Sequence, residues 1–293
     1  MKTLKIALLL SVLIFILGGC NKSVFEGMDS YSDSDSDVFY AQAEQTINSG
    51  DQAAITQLEE DIEARIASHP EENAKLNLML SEVKMALAGV DLLGTATKLF
   101  DLTDESNIST NITSIFEMTH EEFIKLEEAV NSYNSTLLPQ AAPAFAVTDE
   151  ALRNTYMLAG IANVMYGANL LITVFDTNGD EKVNNLDSYE SGILTRWSAN
   201  KTEIIEAVEH TVYFLNIAFQ NDPNNPIVTD NEELVEKIDD IKYELSLYAV
   251  SQSEIDNESD PDKKAKMKLI DKEEFATIIN RVLKGKKETF NYE

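Results

Sequence analysis

The sequence predicts an all-α protein made of stacked helical hairpins. Beyond residue 50, apolar side chains recur three and four positions apart, the spacing that lines one face of a helix. No segment sustains the alternation of apolar and polar residues that a half-buried strand needs, and β-branched runs are short. Clusters of Asn, Asp and Pro separate the periodic stretches, as turns between helices do. With 44% hydrophobic residues in 293, the chain has enough apolar mass for one large core or two modest ones.

Asp51 to Ser68 carries Ile55, Leu58, Ile62 and Ile66 on one stripe. Pro70 opens the next helix, where its missing N–H costs nothing, and the apolar pattern runs through Leu76, Leu78, Leu80, Val83 and Leu87 to about Phe100. Thr119-His120-Glu121-Glu122 fits a capping box ahead of Phe123, Leu126 and Val130. Residues 137–147 (LLPQAAPAFAV) read as a Pro/Ala linker between an N-terminal helical region, 37–136, and a C-terminal one, 148–293. Thr148 or Asp149 then caps a long helix to Phe175, and further helices are expected over 200–219, 231–250 and 271–283.

Asn154 to Phe175 carries no formal charge and is long enough to cross a hydrocarbon layer. Asn154, Asn163 and Asn169 would be costly in lipid, so a central buried helix is the preferred reading. Gly160, Asn163 and Gly167 share a face on which a neighbouring helix can approach closely.

Two stretches look alike, Leu87-Ala88-Gly89-Val90 with Gly94 and Leu158-Ala159-Gly160-Ile161 with Gly167, and each leads to a Phe-Asp pair. Gly50-Asp51 with Ala54, Ile55 and Pro70 loosely resembles one tetratricopeptide unit, which implies hairpins stacked as degenerate repeats.

Charge and composition exclude several functions. Twenty-three Lys and Arg against 51 Asp and Glu give a formal net charge of −28, a surface that repels a phosphate backbone and leaves no nucleic-acid partner. One cysteine forbids a disulfide framework and any zinc site with two thiolates. His69, His120 and His210 are far apart and read as surface or capping residues. No GxSxG elbow, GxxxxGK[ST] loop or GxGxxG fingerprint occurs, so no enzyme is expected.

At the amino terminus, Lys2 and Lys5 precede an apolar run from Ile6 to Leu17, and residues 1–19 read as a signal peptide. Leu17-Gly18-Gly19-Cys20 resembles the lipobox of bacterial lipoproteins. The resemblance implies that Cys20 is acylated and that the chain is anchored in a bacterial envelope membrane; with Asn21 next, resemblance to Gram-negative lipoproteins favours the outer membrane, and in a Gram-positive organism the same signal implies the outer face of the cell membrane. Residues 20–36 are polar and acidic and read as a tether; Asp33, Asp35, Asp37 and Glu44 can be forced onto a calcium-loop template but lack its glycine.

Specific chemistry is concentrated in Asp176-Thr177-Asn178-Gly179-Asp180-Glu181-Lys182-Val183-Asn184-Asn185-Leu186-Asp187. Asp176, Asn178, Asp180, Asn184 and Asp187 put oxygen side chains at positions one, three, five, nine and twelve, and Lys182 offers its backbone carbonyl at seven. A hard cation takes six to eight oxygens, which alternate residues of a tight loop supply, so one calcium ion is the expected cofactor. The pattern resembles an EF-hand loop, closest to the dockerin version. It departs from that version with Glu181 at the sixth position and with no second loop; Asp101 to Ile112 fails at position twelve. The functional expectation is a lipid-anchored, non-catalytic helical scaffold for a protein partner. The rival is a ligand-capture or transporter-accessory lipoprotein with a cavity near Tyr156, Tyr166 and Trp197.

Overall fold

The computed structural model describes residues 34–90, 118–138, 150–176, 191–219, 243, 246–247 and 252–269. Every regular element among them is a helix, and the protein is all-α. The chain enters through α1 (Ser34–Ser49), so residues 34–36, expected in the tether, are already helical. Asp35, Asp37 and Glu44 therefore lie on a helix and not on a calcium loop. Gly50, at φ +69°, turns the chain into α2 (Gln52–Ser68). The Asp51 carboxylate caps α2 by accepting from the amides of Ala53 and Ala54 at 3.1 and 3.3 Å.

Pro70 begins a single 3-10 turn, Pro70–Glu72, that runs directly into α3 (Asn73–Leu87). The apolar pattern beyond Leu87 had suggested a helix to about Phe100, but α3 stops thirteen residues earlier. Gly89 takes φ +67°, its amide bonds the Ala86 carbonyl at 3.1 Å, and the Val90 amide bonds the Met85 carbonyl at 3.1 Å. Those two reverse bonds are a Schellman stop, and a left-handed glycine outweighs continuing hydrophobic periodicity.

α4 (His120–Leu137) starts on the expected capping box: Thr119 Oγ1 accepts from the Glu122 amide at 3.3 Å, and Glu122 Oε2 accepts from the Thr119 amide at 2.7 Å. α5 (Glu150–Phe175) and α6 (Ser191–Phe219) are the two long helices. α6 starts nine residues before the expected Asn200, which lies mid-helix with its amide Nδ2 donating to the Arg196 carbonyl at 2.7 Å. The short α7 (Gln252–Asn257) and α8 (Pro261–Leu269) follow; the helix expected over 271–283 and most of that over 231–250 lie outside the described residues, and of the linker expected over 137–147, Leu137 ends α4, Leu138 caps it and 139–147 lie outside them too.

The pairs α2–α3, α3–α4 and α5–α6 run antiparallel. Arg65 meets Glu72 at one end of the α2–α3 pair, and Gln52 reaches the Ala86 carbonyl at the other. Along α3 and α4, Asn77 meets Ser132 and Lys84 meets Glu128. Tyr156 packs on Phe214, Gly160 lies under Thr211 and Leu215, and Arg196 reaches Val174, so α5 and α6 are paired over their whole length.

α3 is apolar on two sides. Leu76, Met79, Leu80 and Val83 close a core with Tyr40, Ala43, Ile55, Leu58 and Ile62 of α1 and α2. Leu78, Met85 and the adjoining Ala88 enter a larger core with α4, α5 and α6, centred on Leu126, Tyr133, Trp197, Ile204 and Phe214. Residues on both sides of the Pro/Ala segment share that second core. Each large side chain removed from water there contributes on the order of 2 kcal/mol, which is what holds helices of modest intrinsic propensity together.

The repeated Leu-Ala-Gly tetrapeptides do not occupy equivalent places. Gly89 ends α3, whereas Gly160 lies inside α5, where a Cβ would stand 2.7 Å from Leu215 Cδ2 and 2.9 Å from its Cγ. One glycine is needed for its backbone conformation and the other for helix approach, so this similarity carries no structural repeat.

Candidate functional site

α5 hands directly over to the oxygen-rich dodecapeptide. The amide of Asp176, its first residue, still donates to the Ile172 carbonyl at 2.8 Å. From the opposite side of the junction, Arg196 Nε of α6 donates to the Val174 carbonyl at 2.8 Å. A cation thereby meets a last-turn carbonyl at the negative end of α5, and the start of α6 is fixed to the end of α5 where the connecting segment begins. Asp176 is half-buried beside this tie. Asn178, Asp180, Lys182, Asn184 and Asp187 lie outside the described residues, and so does Cys20. Among the described residues, no three His, Cys, Asp or Glu side chains gather as a cluster able to hold a metal.

The uncharged segment that could have crossed a membrane is a core helix of this bundle. Asn154–Val174 has the length and composition of a span, but its side chains pack between α4 and α6. Gly167 lies against Ala207, a Cβ on it standing 3.2 Å away, and Gly160 lies against Leu215, which is the close approach the shared small-residue face implied. The aromatic residues of the ligand-capture reading are core fillers too. Trp197 is 0% exposed, Tyr156 6% and Tyr166 8%. Tyr166 stacks on Phe123 with ring centres 5.5 Å apart and donates to Glu203 Oε2 at 2.8 Å; burial, then the Glu203 carboxylate, pushes its phenol well up.

A polar cluster lies where α4, α5 and α6 meet. Asn163, 1% exposed, donates from Nδ2 to Asn134 Oδ1 at 3.2 Å and to the Ala159 carbonyl at 2.8 Å. Asn134 Nδ2 returns a bond to Asn163 Oδ1 at 3.4 Å and lies 3.0 Å from His210 Nδ1. Burial pushes the His210 pKa down, against the pull of Glu206 and Glu209. In the neutral ring facing Asn134 Nδ2, a group that can only donate, Nδ1 accepts and the proton sits on Nε2. His210 had been expected at the surface or at a cap; it instead joins an interhelical network, because the register of α6 against α4 brings Asn134 to it. His69 and His120 do lie at helix ends, His69 after α2 and His120 at the first position of α4.

An ion-pair lattice ties α2, α3 and α4 on another side. Lys125 donates to both Glu59 oxygens at 2.7 and 3.0 Å, and Lys84 stands 3.0 Å from Glu128 and 3.8 Å from both Glu59 and Glu63. Burial would raise the Glu128 carboxyl, but the hydrogen bonds and charges of Lys84 and Lys125 outweigh it and hold the group down. At the far end of α2, Glu72 receives Arg65 through Nε and Nη2 at 3.1 and 3.2 Å and the Tyr40 hydroxyl at 2.9 Å.

Sequence reasoning did not single out Glu82. It sits on α3 between Leu78 and Met85, its Oε1 is buried with no hydrogen-bond partner, and so is the hydroxyl of Tyr133. Burial, then the charge of Glu44, raises the Glu82 carboxyl to about 8. Among 51 acidic residues, only its place on the Leu78–Met85 stripe could have marked it.

The lysine-rich helix α8 has local partners for its charges. Asp260 caps α8 by accepting from the amides of Asp262 and Lys263 at 2.9 and 3.2 Å, and Lys266 and Lys268 lie in the last turn. Lys263 pairs with Glu258 at 3.0 Å, and Lys264 bonds the Asp256 carbonyl at 2.7 Å. Lys266 meets the Tyr243 hydroxyl at 3.1 Å.

Comparison with known proteins gives no relative: no family model, no curated protein and no solved structure matches this chain.

Proposed function

We propose that the protein is a lipid-anchored, non-catalytic helical scaffold of a bacterial envelope, braced by one calcium ion and presenting its helices to a protein partner. Acyl chains on Cys20 supply the anchorage, each buried methylene contributing about 0.8 kcal/mol. Asp176, Asn178, Asp180, Asn184 and Asp187, with the Lys182 carbonyl, ligate calcium between α5 and α6. The ion sets the angle between those helices. Three carboxylates and a non-glycine sixth residue fit modest affinity, suited to the calcium concentrations outside a cytoplasm.

The observation that carries this reading is the position of the dodecapeptide. It begins at Asp176, immediately after a 26-residue helix whose last turn is held by Arg196 of the next helix. A scaffold is favoured over ligand capture because Tyr156, Tyr166 and Trp197 are consumed in packing. The test has two arms. Growth with a labelled fatty acid should mark the wild type and not Cys20→Ser, and the variant should leave the membrane fraction. Calcium titration of the metal-free protein should raise its melting temperature, and Asp180→Ala should abolish the rise.

A further inference from the structure

One direction of hydrogen bonding runs through the junction of α4, α5 and α6, and a backbone carbonyl sets it. The Ala159 carbonyl can only accept, so it holds the Asn163 amide with Nδ2 toward it at 2.8 Å. Asn163 Nδ2 also donates to Asn134 Oδ1 at 3.2 Å, and Asn163 Oδ1 accepts from Asn134 Nδ2 at 3.4 Å. The remaining hydrogen of Asn134 Nδ2 faces His210 Nδ1 at 3.0 Å. Every amide hydrogen of the pair is thereby used, and Nδ1 can serve only as an acceptor. Turning an amide over makes no room for a proton there. A flipped Asn134 would set nitrogen against nitrogen and oxygen against oxygen across Asn163. Flipping Asn163 as well would set its Oδ1 against the Ala159 carbonyl, acceptor to acceptor.

An imidazolium has an outlet on its own helix. Among the described residues, the charges acting on His210 are Glu206, one turn back on α6, and Glu209 beside it, both exposed. From α4 the ring meets the neutral Asn134 amide, with the Asn163 amide of α5 behind it. Phe214 lies alongside at 6.3 Å between ring centres, and Tyr156 of α5 packs on that same ring, its phenol raised by burial and neutral throughout. Glu127 of α4 and Glu203 of α6 converge on Tyr166 instead. We propose that His210 is an acid-sensing catch holding α4 to the α5–α6 pair. Unprotonated, its Nδ1 closes the amide chain; on gaining a proton, the ring leaves Asn134 for the Glu206 and Glu209 carboxylates. An Asn134 amide hydrogen is then orphaned at the seam, and α4 opens more readily from its neighbours. Burial, outweighing the pull of both carboxylates, sets the change below pH 6.5. The ring is half-buried, so the proton reaches it from solvent without unfolding. The catch depends on neither calcium nor acylation.

Two measurements on the full chain read the catch. The imidazole nitrogen resonances of His210 should show the Nε2–H tautomer at about pH 7.5 and titrate below 6.5. Hydrogen exchange, corrected for intrinsic rates, should show residues 130–137 of α4 losing protection several-fold between about pH 7.5 and about pH 5. His210→Gln, whose side-chain oxygen accepts from Asn134 at either pH, should keep that protection. Asn134→Asp gives the imidazolium an acceptor, so it should raise the His210 titration above 6.5 and remove the acid loss. An Nδ1–H tautomer in the wild type would overturn the catch. So would wild-type α4 equally protected at the two pH values, or a His210→Gln chain that loses protection as the wild type does.

Discussion

Asn163 of α5 and Asn134 of α4 exchange side-chain amide bonds, Nδ2 to Oδ1 at 3.2 Å in one direction and 3.4 Å in the other. Removing one amide leaves the other partly unpaired at a buried interface, which costs about 1–3 kcal/mol. Asn163→Ala and Asn134→Ala should each lower the urea midpoint to that extent. The double variant should cost less than the sum, because the second substitution removes a group already orphaned. Additive costs would mean that the two amides act independently.

Gly160 and Gly50 should respond to alanine for different reasons. A Cβ at Gly160 meets Leu215 at 2.7 Å, an overpacking that costs about 1–3 kcal/mol before the helix-propensity gain of about 1 kcal/mol. In a Leu215→Ala background that clash is gone, so Gly160→Ala should be neutral or stabilising. Gly50 has open space around it and φ +69°, so its alanine variant should cost about 1 kcal/mol in any background. Denaturant unfolding of the four variants separates steric cost from backbone cost.

The pH dependence of stability should carry the mark of Glu82. Its carboxyl titrates at about 8 in the folded chain against an ordinary 4.5. The folded state thus holds a proton that the unfolded state releases between those values, so stability falls as pH rises through that window and levels off above it. Glu82→Gln should remove this slope and gain on the order of 3–5 kcal/mol over the wild type by about pH 9, the advantage narrowing toward about pH 4. Chemical unfolding across that range checks it; parallel curves would place Glu82 in contact with water.

Much of the fold was legible because local signals agreed with tertiary demand. Asp51, Pro70 and Thr119 start helices where their side chains say they should, and the stripe Ile55–Leu58–Ile62 is buried. Two boundaries were misread when a tertiary or conformational preference overrode the local pattern. Gly89 stopped α3 against a continuing apolar run, and Asn200, a good cap by type, was absorbed into α6 because Ile193 and Trp197 extend its buried face. The polar interior was not legible at all. Nothing local distinguishes Glu82 from other acids, or pairs Asn134 with Asn163, until three helices meet. The calcium-loop expectation rests on side-chain spacing from Asp176 to Asp187 alone, and beyond Asp176 those residues lie outside the described ones.

Arg196 connects that pattern to the bundle. Its bond to the Val174 carbonyl fixes the start of α6 to the last turn of α5. Arg196→Ala should weaken calcium binding several-fold by calorimetry, because the last turn of α5, next to the first residue of the dodecapeptide, loses its tie to α6. Unchanged affinity would show that the loop organises itself without the clamp.

Thermal melting of the metal-free chain against added calcium tests the account most directly. Linkage predicts a melting temperature that climbs with calcium once its concentration passes the dissociation constant, with a gain of about 2.7 kcal/mol at a hundredfold excess. Asp176→Ala and Asp180→Ala should stay flat. A wild-type melt that does not move at millimolar calcium would contradict the proposed brace between α5 and α6.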